Sequence, residues 1–269
     1  MKKLTLCVFS VLFAMTLSVE ARADMLVSTP GATLDSYFRF LNDTDNNGWH
    51  YAAPFGAENL TTGQLLNTFC VDRYTYTSSD FSLPGVGQEY GAVALNSPTM
   101  TLFSDIQKSA LNSLFSHVYT TITDSQNNLL NTAAAMAFQL TVWEIVHETS
   151  GVWNLANGVF GINAAATYRN SDHTGGSEYD NRLFNDVISL TSSWFSAIAD
   201  EPMWVAMGYG KTDLELTVYV AEGGTHVSQT LISTTAPAAV TPEPATILMF
   251  GMGVLALPFC RRRVSRSTN

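Results

Sequence analysis

Two long apolar runs bracket this chain, and the spacing of apolar positions changes period twice between them. The first run, Leu4 to Val19, follows Lys2 and Lys3; the second, Ala245 to Cys260, runs directly into Arg261-Arg262-Arg263. From residue 25 to about 100, aromatic and β-branched residues partly alternate with polar ones, as in Tyr37-Phe38-Arg39-Phe40 and Phe69 to Tyr76, with Asn47-Gly48 and Pro84-Gly85 as turn signals. That pattern predicts strands joined by loops. From Ser104 to about Asp200 the period becomes helical. Ile106, Ala110, Leu114 and Val118 share one face of a first predicted helix, opened by Ser104-Asp105. Ala135, Gln139, Val142, Trp143 and Val146 share a face of a second, over 131–149, which Gly151 is expected to stop; Leu183, Val187, Leu190, Trp194 and Ile198 mark a third, over 179–198. Strands return at Trp204-Val205-Ala206-Met207 and at Leu214 to Val220, the latter alternating as a half-buried strand does. Strands over 25–100, helices over 104–200 and strands again over 203–232 predict an α+β fold: a β-sandwich or barrel-like scaffold with an inserted three-helix subdomain. No internal repeat is present.

The two bracketing runs read as addresses. A basic start, an apolar stretch and Ala21-Arg22-Ala23 form a secretory signal peptide over 1–23, cut by signal peptidase after Ala23. At the other end, a small-residue linker over 235–241 leads to Pro242-Glu243-Pro244, an apolar helix over 245–260, and the arginines. At about 1.5 Å per residue against a hydrocarbon core about 30 Å thick, this helix is slightly short for a comfortable span. The arginines hold its end on the cytoplasmic side. The tail, 242–269, resembles the PEP-CTERM sorting signal, with its Pro-Glu-Pro, apolar segment and arginine cluster in the required order. The resemblance implies cleavage by an exosortase of the inner membrane, after transient anchoring, and delivery to the surface or extracellular matrix of a Gram-negative-type bacterium.

What remains, 24–234, is one domain's worth of chain. Between Asp24 and Pro242 stand six basic and twenty-one acidic residues, a net charge near −15. Such a body repels nucleic acid and anionic membrane surfaces. Of the three cysteines, Cys7 belongs to the signal peptide and Cys260 to the tail, so Cys70 alone remains in the body and has no internal disulfide partner. An exported thiol is exposed to oxidation unless it is protected or used.

Gln139 is a second oddity. It lies in phase with Ala135, Trp143 and Val146, on a face expected to be buried, where an unpaired amide costs about 1–3 kcal/mol. If the strand sets the Cys70 sulfur against the Gln139 carboxamide, attack with loss of ammonia yields an internal thioester. Fixed proximity contributes up to about 7–11 kcal/mol toward that barrier, and a dry pocket protects the product. Phe69-Cys70-Val71-Asp72 and Phe138-Gln139-Leu140-Thr141-Val142-Trp143 resemble the two motifs of bacterial surface thioester domains. The resemblance implies a Cys70–Gln139 crosslink, with Phe69 and Trp143 packed beside it, and an adhesin that captures an amine- or hydroxyl-bearing surface ligand covalently. Its well-known members are fixed to Gram-positive walls, whereas this tail implies a different envelope.

Other signals point less far. Asp43, Asp45 and Asn47, with Gly48 at the sixth position, match the front of a calcium loop, but the twelfth position is Pro54 rather than Glu. An acidic turn is the expectation, and a weak calcium site the alternative; no metal or cofactor is otherwise expected. His147 and Glu148 follow Glu144 in neither zincin nor inverzincin order and are expected on the solvated side of their helix. There is no Gly-x-Ser-x-Gly, no phosphate loop and no CxxC. The sequence therefore predicts a surface or matrix crosslinker in a biofilm-like setting, not an enzyme. A passive matrix protein with an inert buried cysteine is the first alternative, and a secreted hydrolase the second.

Overall fold

The computed structural model describes residues 24–28, 36–39, 49–52, 54–72, 87–124, 129–156, 168–170, 178–222 and 229–235. The chain divides into two compact units, Met1–Thr234 and Thr235–Asn269, and the second lies outside the described residues except for Thr235.

The strands are β1 (Asp24–Ser28), β2 (Ser36–Arg39), β3 (Trp49–Tyr51), β4 (Phe55–Asn59), β5 (Gln64–Cys70), β6 (Gln88–Ala94), β7 (Tyr168–Asn170), β8 (Glu215–Ala221) and β9 (Leu231–Thr235). The helices are α1 (Asp105–Ile122), α2 (Thr132–His147), α3 (Glu178–Ala199) and α4 (Glu201–Ala206). Six strands close into a barrel in the order β1-β4-β5-β9-β8-β6, and every registered pair is antiparallel. Closure removes the exposed edges that an open sheet would leave. Of the two architectures the sequence allowed, sandwich or barrel, the barrel is the one formed. A second sheet, β3-β2-β7, takes its third strand from between α2 and α3, so the 104–200 stretch is not purely helical.

Helices α1 and α2 begin at side-chain caps. Ser104 opens α1 with a full capping box: its side chain accepts from the Gln107 N–H, and the Gln107 side chain accepts from the Ser104 N–H. Asn131 caps α2 by accepting from Ala134 N–H. Helix α2 ends at His147, before Gly151 is reached. Here Gln107 acts a second time, donating its Nε2 to the orphan carbonyls of Ile145 (3.1 Å) and Val146 (2.9 Å). One side chain thus starts α1 and closes α2.

Aromatic rings bind barrel to helices. Phe69 of β5 lies 4.5 Å from Phe138 of α2 and 5.8 Å from Phe115 of α1. Phe138 also meets Phe115 edge-on at 4.7 Å and Trp194 of α3 at 6.4 Å. These contacts bury Phe69, Phe115, Phe138 and Trp194 completely.

Several local expectations are corrected. The apolar run Trp204–Met207 is not a strand: a short helix starts after Asp200, whose side chain makes no cap hydrogen bond, and Pro202 in its first turn is a start signal that outweighs four apolar residues in a row. Only Trp204 is buried; it stacks on His117 at 4.9 Å and donates Nε1 to Ser113 Oγ at 3.0 Å. Ile106 stands in phase with the buried Ala110, Leu114 and Val118 but is 53 % exposed, because it lies in the first turn of α1, at the rim of the core. Strand β8 does not alternate: Leu216 to Tyr219 are all buried, so both of its faces are covered. Glu148 is buried and His147 half-buried rather than solvated; the chain after α2 folds back toward this end of the helix, where Asn154 N–H donates to Glu144 Oε1. The strand expected to run from Phe69 to Tyr76 ends at Cys70.

Candidate functional site

Register explains what surrounds Cys70. It is the last residue of β5 and pairs with Leu231, the first of β9. Val71 N–H then bonds Thr230 O at 2.9 Å. Val71 points its backbone groups toward β9, so those of Cys70 point to the other side, where β4 runs. But β4 begins at Phe55, opposite Thr68, and its ladder stops short of Cys70. The amide of Gln139 occupies the gap. Cys70 N–H donates to Gln139 Oε1 at 3.0 Å, and Gln139 Nε2 donates to Cys70 O at 2.8 Å. A side chain on α2 therefore does what a peptide unit of a neighbouring strand would do. Gln139 is completely buried with both ends of its amide bonded, which removes the cost that made it odd in the sequence.

The sequence expected Gln139 to meet the sulfur. The structure brings Cys70 and Gln139 together, but through the cysteine backbone, and the sulfur meets a different glutamine. Cys70 Sγ lies 2.8 Å from Oε1 of Gln229. Because Cys70 is opposite Leu231, Gln229 is its diagonal neighbour across the two strands, on the same face. That face is opposite the one on which Phe69 packs against the helices. Gln229 is held from its other end too, where Nε2 donates to the backbone carbonyl of Asp72. Sulfur and amide are both sequestered, Cys70 being 2 % and Gln229 6 % exposed. Burial, with the Asp72 carboxylate adding to it, raises the Cys70 thiol well above its ordinary pKa. The sulfur thus keeps its proton and is shielded from the solvent oxidants that attack thiolates.

Gln229 was not singled out from the sequence, though a signal exists. It precedes Leu231 and Ser233 at strand spacing, so its amide falls in phase with a face that proves buried. Phe69 is wedged among Phe115, Tyr119 and Phe138 on the face of β5 opposite the sulfur, and Trp143 is buried one turn along α2 from Gln139.

A second buried polar group lies on the same helix. Glu144 is fully buried, and its Oε1 accepts from Asn154 N–H at 2.6 Å. Burial, offset by that hydrogen bond and reinforced by Glu148, pushes its carboxyl up to about 8. Among the described residues, no three His, Cys, Asp or Glu side chains gather as a metal site, and no helix is long and apolar enough to cross a membrane. Ala23 of the expected signal cleavage site, the calcium candidates Asp43, Asp45 and Asn47, the sorting residues Pro242, Glu243 and Pro244, the segment 245–260 expected to be an apolar helix and Arg261 to Arg263 lie outside the described residues.

In comparison with known families, residues 240–264 match the PEP-CTERM protein-sorting motif. The motif indicates an exported chain processed at the membrane by exosortase before surface or extracellular placement. No curated protein and no solved structure matches the chain.

Proposed function

We propose that this exosortase-sorted protein is a single-use covalent adhesin or matrix crosslinker, in which Cys70 and Gln229 condense to an internal thioester and Gln139 holds the cysteine in place. The observation that carries the reading is the 2.8 Å contact between Cys70 Sγ and Gln229 Oε1. In the condensation the sulfur bonds to the Gln229 amide carbon and the C–N bond breaks. The thiol proton leaves with the amide nitrogen as ammonia. An amide is a poor electrophile in water, and a fixed intramolecular pair recovers about 7–11 kcal/mol of that barrier. Gln139 contributes by fixing the Cys70 backbone from one side, while the Asp72 carbonyl fixes the Gln229 nitrogen from the other. Burial of both side chains keeps water from the product. The acyl group then awaits an amine or hydroxyl of a surface ligand, and one reaction consumes it, so the protein does not turn over as an enzyme.

Intact-mass measurement of the exported protein tests this reading. The expected mass is short by one ammonia, and the full mass returns in Cys70→Ala and Gln229→Ala variants. With methylamine the wild type gains one adduct, which peptide mapping assigns to Gln229. A full mass with a freely alkylated Cys70 in the wild type would mean a passive matrix protein with an inert cysteine.

A further inference from the structure

We infer that a ligand captured at Gln229 is joined to the sorted C-terminal end of the chain by a short covalent path that leaves nearly all of the folded body outside the line of force. The inference rests on the thioester reading and extends it to how the bond carries load. When an amine attacks the thioester, its nitrogen bonds to the acyl carbon and the C–S bond breaks. The amine gives up a proton and the departing sulfur becomes the Cys70 thiol. The acyl carbon belongs to Gln229, so the ligand stays with residue 229 and Cys70 is released.

Gln229 stands two residues before β9, which ends at Thr235, and the sorting motif begins at residue 240. The path from ligand to motif is therefore eleven residues long. It includes β9 and none of β1 to β8 or the helices. A strand already rises about 3.3 Å per residue, close to the 3.3–3.6 Å limit of an extended chain, so β9 has almost no length to yield. Attachment at Gln139 would behave differently. Ninety-six positions separate it from Thr235, among them α3, α4 and β8. Tension would unfold them and release roughly 300 Å of slack. The position of the acyl donor, rather than the strength of the fold, decides whether the tether lengthens.

Single-molecule stretching of the exported chain tests this. One end is held through the linker over 235–241, and the other through an amine-terminated DNA handle captured by the protein. Force is expected to rise to rupture with no stepwise lengthening, whereas a handle attached at Asp24 on the same molecules gives an unfolding step. A step of roughly 300 Å with the captured handle, and its mapping to Gln139, would overturn the inference while leaving covalent capture standing. A step of any other length with the handle on Gln229 would also overturn it. If the amine handle is not captured and the intact mass shows no loss of ammonia, the thioester reading itself fails and this inference falls with it.

Discussion

Cys70 Sγ and Gln229 Oε1 lie 2.8 Å apart although 159 positions separate the two residues in the chain. The antiparallel register of β5 and β9 creates this approach, because it sets Cys70 opposite Leu231 and so makes Gln229 its diagonal neighbour. A slip of one residue would turn Gln229 to the other face of the barrel.

Loss of the Gln139 amide should both weaken the fold and slow the chemistry. Gln139→Ala leaves the buried N–H and C=O of Cys70 without their present partners, at about 1–3 kcal/mol for each group. Denaturant midpoints should fall accordingly, and the fraction of protein lacking one ammonia should drop. Gln139→Glu keeps the acceptor for Cys70 N–H but sets an oxygen against Cys70 O, so it should rescue neither property fully. Unchanged ammonia loss in both variants would leave Gln139 with no positioning role.

Glu144 makes stability fall as the solution becomes alkaline. Its carboxyl sits at about 8 in the fold against an ordinary value of 4.5. Between these values the folded protein holds a proton that the unfolded chain has lost, so stability declines with rising pH. The contribution is complete below 4.5 and gone above about 8. Melting temperatures measured from about pH 5 to about pH 9 should fall in the wild type and flatten in Glu144→Gln, whose amide oxygen still accepts from Asn154 N–H. Parallel curves for the two proteins would remove Glu144 as the cause.

Phe138 holds α2 against β5. It lies 4.5 Å from Phe69 and 4.7 Å from Phe115, and is fully buried. Phe138→Ala should cost about 3–5 kcal/mol in chemical denaturation. Because Gln139 is the next residue, the same variant should also lower the yield of ammonia-lost protein at temperatures where it remains folded.

Gln107 has two separable duties. Its Oε1 accepts from Ser104 N–H at 2.9 Å, while Nε2 serves the carbonyl ends of α2. Gln107→Glu keeps the first and loses the second, and Gln107→Met loses both. Denaturation should rank wild type above Gln107→Glu, and Gln107→Glu above Gln107→Met, with the first step about 1–3 kcal/mol. Equal stability of wild type and Gln107→Glu would mean that the α2 carbonyls do not need this donor.

Much of this arrangement was legible in the sequence where local signals agree. The Ser104-Asp105 opening and the strong 3.6-residue periods placed the start of α1 and the bounds of α2 and α3 within a few residues. Cys70 stood out as the one body cysteine, without a disulfide partner, and Gln139 as an amide on a face expected to be buried, and they do meet. Which atoms meet was not legible. A helical phase says which way Gln139 points but not that β4 would stop at Phe55 and leave a backbone edge for its amide. The role of Gln229 depends on the pairing of β5 with β9, a contact between distant segments that no local period encodes. Trp204 to Met207 was misread because four apolar residues in a row suit a strand or a helix equally, and the deciding residues, Asp200 and Pro202, lie just upstream.

The strand-mimicking amide of Gln139 also sets a clock. A chain passing through the export machinery unfolded carries Cys70, Gln139 and Gln229 as three ordinary residues, 69 and 159 positions from partner to partner. They become neighbours only once the barrel has closed and α2 has docked on it. On the proposed reading, maturation of the cysteine is thereby deferred until the journey is over, and an incompletely assembled molecule stays chemically silent.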